Sequence, residues 1–288
     1  MIRQTFYKDR PAIAVECDKF VALFLPYDGA KLVSFKTNDG EEFLAHTQGE
    51  KYRRLDIDGE YIESECSAFD DMFPAIDPCV INGIDYLDHG QVCRVEHQYV
   101  IDRDFVTFKC ELENLNITYT KTAFSRNGKL CISYKIENHN DFDFPYLWAG
   151  HMMFKGQNGA YVVSEFSPDS PKRVMFGKPQ SEQFAHVLEK KGNKHYKFYY
   201  TEEKPPIKCG IVYPETKKEI SVKFDNQIVK YLGLWMNPGD FNAMYNIALE
   251  PCTALYDNPV NAIKANAASY IEAKKTIDFT LEIGYKET

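Results

Sequence analysis

Tyr245-Asn-Ile-Ala-Leu-Glu-Pro-Cys-Thr253 alternates the large apolar residues Tyr245, Ile247 and Leu249 with Asn246, Ala248 and Glu250. A two-residue period belongs to a strand with one face turned to a core, so a half-buried strand is expected here. Pro251 has no N–H to give to a ladder, which places Glu250 at the strand's end, where a carboxylate can face a ligand instead of another strand. An ordinary surface glutamate fits the same spacing.

The period of two extends outward from this stretch. Ile277, Phe279, Leu281, Ile283 and Tyr285 alternate with Asp278, Thr280, Glu282 and Gly284. Upstream, segments 12–16, 20–26, 32–36, 42–45, 92–99 and 105–112 read as strands rich in Val, Ile, Phe, Tyr and Thr. Asn82-Gly83 and Asn127-Gly128 sit between such runs and predict tight hairpins with positive φ at the turn. One helix is expected, with Asn258 as its cap, Pro259 at the first helical position and the Ala-rich 260–273 after it. Many strands joined by short turns predict an all-β fold, a large antiparallel sandwich or barrel spanning 1–288 as one domain, with a short helix near the C-terminus.

Composition narrows the function classes. With 44% hydrophobic and 26% charged residues the 288-residue chain is globular in character. A formal net charge of −8 and the lack of a basic run argue against nucleic acid as a partner. The Lys190-Lys191 and Lys217-Lys218 pairs read as solvated loops. No apolar run reaches 18 residues, so no membrane span is expected, and Met1-Ile-Arg-Gln-Thr-Phe6 lacks the apolar core of a signal peptide, which makes the cytoplasm the expected compartment. Eight cysteines are scattered singly without a CxxC pair, which points to reduced thiols and to no structural zinc.

Seven histidines are available to meet Glu250. His46, His97, His139, His186 and His195 have polar or charged neighbours and read as surface residues. His151 lies between Phe144-Pro-Tyr-Leu-Trp-Ala-Gly150 and Met152-Met-Phe154, so it is expected to be buried with a lowered pKa, either as a proton-transfer group or as a satisfied core histidine. His89 precedes Gly90 in an expected tight turn, where it either faces a ligand or is merely solvated. In Ala68-Phe-Asp-Asp-Met-Phe-Pro74 adjacent residues on a strand face opposite ways, so one of the two aspartates can point at a pocket. Asp71 is the candidate, with an acidic surface turn as the other reading. Trp148 and Trp235 are either core residues or faces on which a sugar could stack.

The ordered set is more informative than its members. Asp71-Met-Phe-Pro74, His89-Gly90, His151 in its aromatic setting, Leu232-Gly-Leu-Trp235 and Ile247-Ala-Leu-Glu-Pro251 together resemble the aldose 1-epimerase (galactose mutarotase-like) superfamily, and Asp28-Gly-Ala-Lys-Leu-Val-Ser34 is similar to its early glycine segment. The resemblance implies a β-supersandwich, a cleft for a small-molecule sugar, and interconversion of α and β anomers without metal or cofactor. It implies Glu250 as base, His151 as acid and His89 beside the ring oxygen; Asp71, Arg94 and Trp235 are the further candidate substrate contacts. Family members often carry an arginine after the Phe-Pro segment; here Phe73-Pro-Ala-Ile-Asp77 supplies an aspartate, and Arg94 is the substitute within reach. A carbohydrate-binding protein without turnover and a hexose-6-phosphate epimerase are the alternatives on the same scaffold.

Overall fold

The computed structural model describes residues 1–177, the backbone of 187–188 and residues 194–288. His186 and Lys190-Lys191 lie outside the described residues. Two large antiparallel sheets carry the fold. The first has ten strands in the order Ile2–Tyr7, Arg10–Glu16, Phe20–Leu25, Lys31–Thr37, Phe69–Met72, Ala149–Lys155, Tyr245–Cys252, Tyr231–Pro238, Tyr196–Tyr200 and Lys172–Phe176. The second has nine and is centred on Thr276–Glu287, Lys129–Asn138 and Ile117–Arg126. Both Asn-Gly turns close hairpins as expected, with Ile81 opposite Ile84 and Arg126 opposite Lys129.

The main core lies between the sheets. Phe24, Phe69, Met152, Leu234, Ile247 and Leu249 from the first sheet meet Phe108, Tyr119, Ile132, Tyr134 and Leu281 from the second. Trp148 belongs to this core, fully buried with its indole N–H donating to Tyr119 Oη at 3.0 Å. A second apolar layer, with Tyr61, Met72, Cys93, Met153, Ala248, Cys252 and Leu255, covers the opposite face of the ten-stranded sheet.

This double covering corrects the reading of the 245–253 stretch. The strand is buried on both faces: Ile247 and Leu249 point into the inter-sheet core, while Asn246, Ala248 and Glu250 point into the second layer. It also continues through Pro251 to Cys252, with Pro251 opposite Leu232. Pro251 is tolerated because the ladder on its other side is interrupted. Ala149 pairs with Cys252 and Met152 with Leu249, and the positions between them, Gly150 and His151, face Pro251 and Glu250 without pairing.

Other expectations shift as well. The helix covers only Pro259–Lys264, with Asn258 Oδ1 accepting from Asn261 N–H at 3.0 Å as its cap. Asn266 turns the chain through a φ of 54°, and Ser269–Ile271 then pairs with Phe144–Tyr146, so strand pairing claims the Ala-rich tail. In the expected strand 92–99, Val92–Arg94 forms a 3₁₀ turn and a strand starts only at Gln98. Segment 42–45 makes isolated bridges, while Ile2–Tyr7 and Lys172–Phe176 add edge strands that the sequence reading left out. No helix among the described residues is long and apolar enough to cross a membrane.

Candidate active site

Strand alternation and register assemble the site in one row across the ten-stranded sheet. Asp70 opposes His151, Gly233 opposes Glu250, and Tyr199 opposes Gly233. Opposed residues on one face of an antiparallel pair lie about 5 Å apart at Cβ, and the pairing of Met152 with Leu249 beside them brings His151 and Glu250 together although 99 positions separate them. Glu250 Oε1 is 3.7 Å from His151 Nε2 and has no hydrogen-bond partner among the described residues. His151 Nδ1 is likewise unpartnered.

Glu250 is completely buried, and its other oxygen is held by a residue that the sequence reading missed. Lys197 Nζ lies 2.7 Å from Glu250 Oε2 and 2.7 Å from Asp257 Oδ1, and Tyr199 Oη donates to the same Asp257 oxygen at 2.6 Å. Gly233 makes this possible. A Cβ there would stand 2.7 Å from the Tyr199 ring and 3.3 Å from Glu250 Cβ, so the gap in the row is where the neighbouring strand's polar side chains reach over.

The electrostatics follow from burial. Desolvation raises the Glu250 pKa against the pull of the Lys197 ammonium, and it holds His151 well below the usual imidazole range, with the charges of His89 and Lys197 acting the same way. Burial works against the Lys197 charge too, but Asp257 and Glu250 outweigh it and keep the ammonium protonated. Burial therefore works against charge on both members of the pair, and the Lys197 ammonium works back toward the carboxylate.

A cavity of about 140 Å³ opens on this row. Its polar lining is His89, His151, Asn237, Asn242 and Asn246; Tyr61, Ile62, Cys66, Met153, Trp235, Phe241 and Met244 supply the apolar part. Glu250 is not in the wall and lies behind it, against His151. His89 stacks on Tyr61 with ring centroids 3.9 Å apart and meets His151 edge-on at 6.0 Å. Its backbone is at φ 57°, and the following Gly90 packs so tightly on Phe73 that a Cβ would lie 2.3 Å from the Phe73 carbonyl oxygen, which explains the glycine after His89. Trp235 packs face to face with His195 and edge-on with Phe241, so His195, with 32% of its side chain exposed, is part of an aromatic rim at the surface.

Two expected contacts are not made. Asp71 points into the inter-sheet core, where Lys121 Nζ pairs with it at 2.8 Å and both side chains are fully buried. Its neighbour Asp70 takes the site face and accepts from Lys31 Nζ at 2.6 Å and from Tyr61 Oη at 2.8 Å, fixing the ring on which His89 stacks. The alternation was legible, but which aspartate faces which side depends on pairing with the His151 strand. Arg94 does not line the cavity either. Its guanidinium donates to the carbonyls of Gly90, Asp56, Ile57, Gly59 and Asp88, so it ties loops together and has no fork left for a ligand. His97, expected at the surface, is buried in the core, where desolvation lowers its pKa to about 3.

No family model matches this sequence, and no curated protein matches it. Solved structures do. A galactose mutarotase-like protein from Clostridium acetobutylicum superimposes with a TM-score of 0.69 at 14% identity, over 100% of this chain and 99% of that one. A galactose mutarotase-like protein from Lactobacillus casei gives 0.67 at 17% identity, over 96% and 100%. A TPR-domain containing protein from Parabacteroides distasonis carries the same fold in part of its length, with a TM-score of 0.69 at 10% identity over 97% of this chain and 47% of that one. The fold thus serves in more than one context, and function has to be argued from the site. Register, double-covered sheet and superposition agree that this chain has the galactose mutarotase-like fold.

Proposed function

We propose that the protein binds a free sugar in the Tyr61–His89–Trp235 cavity and interconverts its α and β anomers. In this reading Glu250 takes the proton from the C1 hydroxyl while His151 gives one to the ring oxygen. The C1–O5 bond breaks to an open-chain aldehyde, the C1–C2 bond turns, and closure on the other face of the carbonyl returns both protons. A base and an acid that act on two oxygens bonded to one carbon have to be neighbours themselves, and the observation that carries the reading is the 3.7 Å approach of Glu250 Oε1 to His151 Nε2 beside the cavity. Lys197 serves as a positioning residue for the carboxylate, and Trp235 offers an apolar face to the sugar's C–H side. A phosphorylated substrate is less well supported: the cavity lining among the described residues has neither Lys nor Arg, and Arg94 is occupied by carbonyls.

Polarimetry on freshly dissolved α-glucose and α-galactose tests the reading. Wild type is expected to accelerate the approach to equilibrium, and Glu250→Gln to lose the acceleration. A second reading, sugar binding without turnover, is favoured by the complete burial of Glu250 behind His151. Calorimetry separates the two, because a binding protein would hold the sugar equally well with Glu250→Gln and neither form would turn it over.

A further inference from the structure

Asn246 joins His151 Nδ1 and Glu250 Oε1 among the unpartnered buried groups of the ten-stranded sheet. It is 1% exposed, lines the cavity, and neither its Nδ2 nor its Oδ1 has a hydrogen-bond partner among the described residues. Its cross-strand neighbour Asn237 shows the contrast: Asn237 Nδ2 donates to the Phe241 carbonyl, and its Oδ1 accepts from the N–H groups of Gly239 and Phe241. One asparagine of the pair is spent on a turn, while the other holds a donor and an acceptor in reserve. A buried carboxamide left in that state destabilises the fold, so it calls for a role outside the fold.

Its position gives the role. Asn246, Ala248 and Glu250 share one face of their strand, and Asn246 lies four residues, about 13 Å, from Glu250. The register sets three rows along this face: His151, Glu250 and Gly233; then Met153, Ala248 and Trp235; then Asn246 with Asn237. The cavity runs from His151 across Met153 and Trp235 to Asn246. A pyranose lying along it has its reacting end at the acid–base pair, its C–H face on the apolar middle row, and its far edge at the carboxamide.

We infer that Asn246 is the residue that reads the sugar's distal edge, binding an adjacent pair of uncharged hydroxyls, one as donor and one as acceptor. The inference rests on the proposed sugar-binding function and deepens it: the substrate is a neutral sugar, unmodified on the edge remote from C1. A carboxamide matches a hydroxyl pair in both hydrogen-bond senses, whereas a phosphate would leave Oδ1 facing an anion.

The experiment compares wild type with Asn246→Leu, an apolar replacement of similar size. Dissociation constants for glucose, galactose and their 3-deoxy and 4-deoxy analogues are measured by calorimetry, and thermal midpoints are measured without sugar. Wild type is expected to bind one deoxy analogue about tenfold more weakly than its parent, and Asn246→Leu to bind both alike, with the parent weakened by about the same factor. The thermal midpoint of Asn246→Leu is expected to stay level or rise by about 2–4 °C, because an unpaired amide has been removed. Unchanged sugar affinities and deoxy preference in Asn246→Leu would overturn the inference while leaving the sugar-binding reading intact. So would a lowered midpoint with an unchanged preference, the mark of a structural asparagine. If wild type binds none of these sugars, the broader reading falls and takes the inference with it.

Discussion

The ten-stranded sheet carries one chemical constellation on each of its faces. On the inter-sheet side Asp71 pairs with Lys121 at 2.8 Å, and the Lys121 charge is felt by the buried His97. On the other side Glu250 pairs with Lys197 at 2.7 Å, and the Lys197 charge is felt by the buried His151. Residue types, distances and burial are nearly the same. The surroundings differ. Lys121 also donates to the Ala30 carbonyl and sits over the rings of Phe24, Phe69 and Tyr134, so the core set is sealed. The Glu250 set keeps one carboxylate oxygen turned to His151, and His151 opens on a cavity. A cluster of titratable groups becomes a candidate site through the space beside it.

The largest effect expected from this comparison is catalytic. Glu250→Gln should lower kcat for anomer interconversion by about 10²–10⁴-fold, the usual contribution of a general acid or base, while Asp71→Asn leaves the kcat of the folded protein unchanged. Equal losses from the two substitutions would break the comparison. Next comes stability. Lys121→Met strips the partner from a sealed carboxylate and should cost about 3–5 kcal/mol in urea denaturation.

Lys197→Met should show itself in the pH profile. The ammonium favours the Glu250 carboxylate, so without it Glu250 keeps its proton to higher pH, and the acidic limb of kcat/KM should move upward. Lys197→Arg should hold the limb in place, and an unmoved limb in Lys197→Met would mark a purely structural lysine.

Per pH unit, the smallest change in stability belongs to His97. Its pKa falls from 6.5 to about 3 on burial. Below pH 6.5 the unfolded chain takes up a proton that the folded chain refuses, so stability is lost as pH falls through that window, by about 1.4 kcal/mol per pH unit. His97→Met should flatten the slope of urea midpoints against pH by that amount, and an unchanged slope would mean that His97 is charged in the fold.

Much of this was legible in the chain itself. Period-two segments and Asn-Gly turns gave the all-β class, and Glu250, His151 and His89 could be singled out because an ionisable group in an apolar or glycine-marked context stands out locally. What could not be read is set by pairing between distant segments. Lys197 in Tyr196-Lys-Phe-Tyr-Tyr200 looks like the polar position of a half-buried strand; it becomes a site residue only when Gly233, from another strand, lets it reach Glu250. The choice of Asp71 over Asp70 failed for the same reason, since register with the His151 strand decides it. His97 lies between Glu96 and Gln98, and those neighbours concealed its burial. Arg94 was given a ligand-binding role for want of any sign that five backbone carbonyls would converge on it.

A crystal structure of the protein soaked with a hexose addresses the central claim most directly. The account predicts one pyranose in the cavity, its C1 hydroxyl and ring oxygen within about 2.6–3.2 Å of Glu250 and His151 respectively. A sugar seated there with Glu250 still behind His151 and touching only Lys197, or a sugar bound elsewhere, would contradict it.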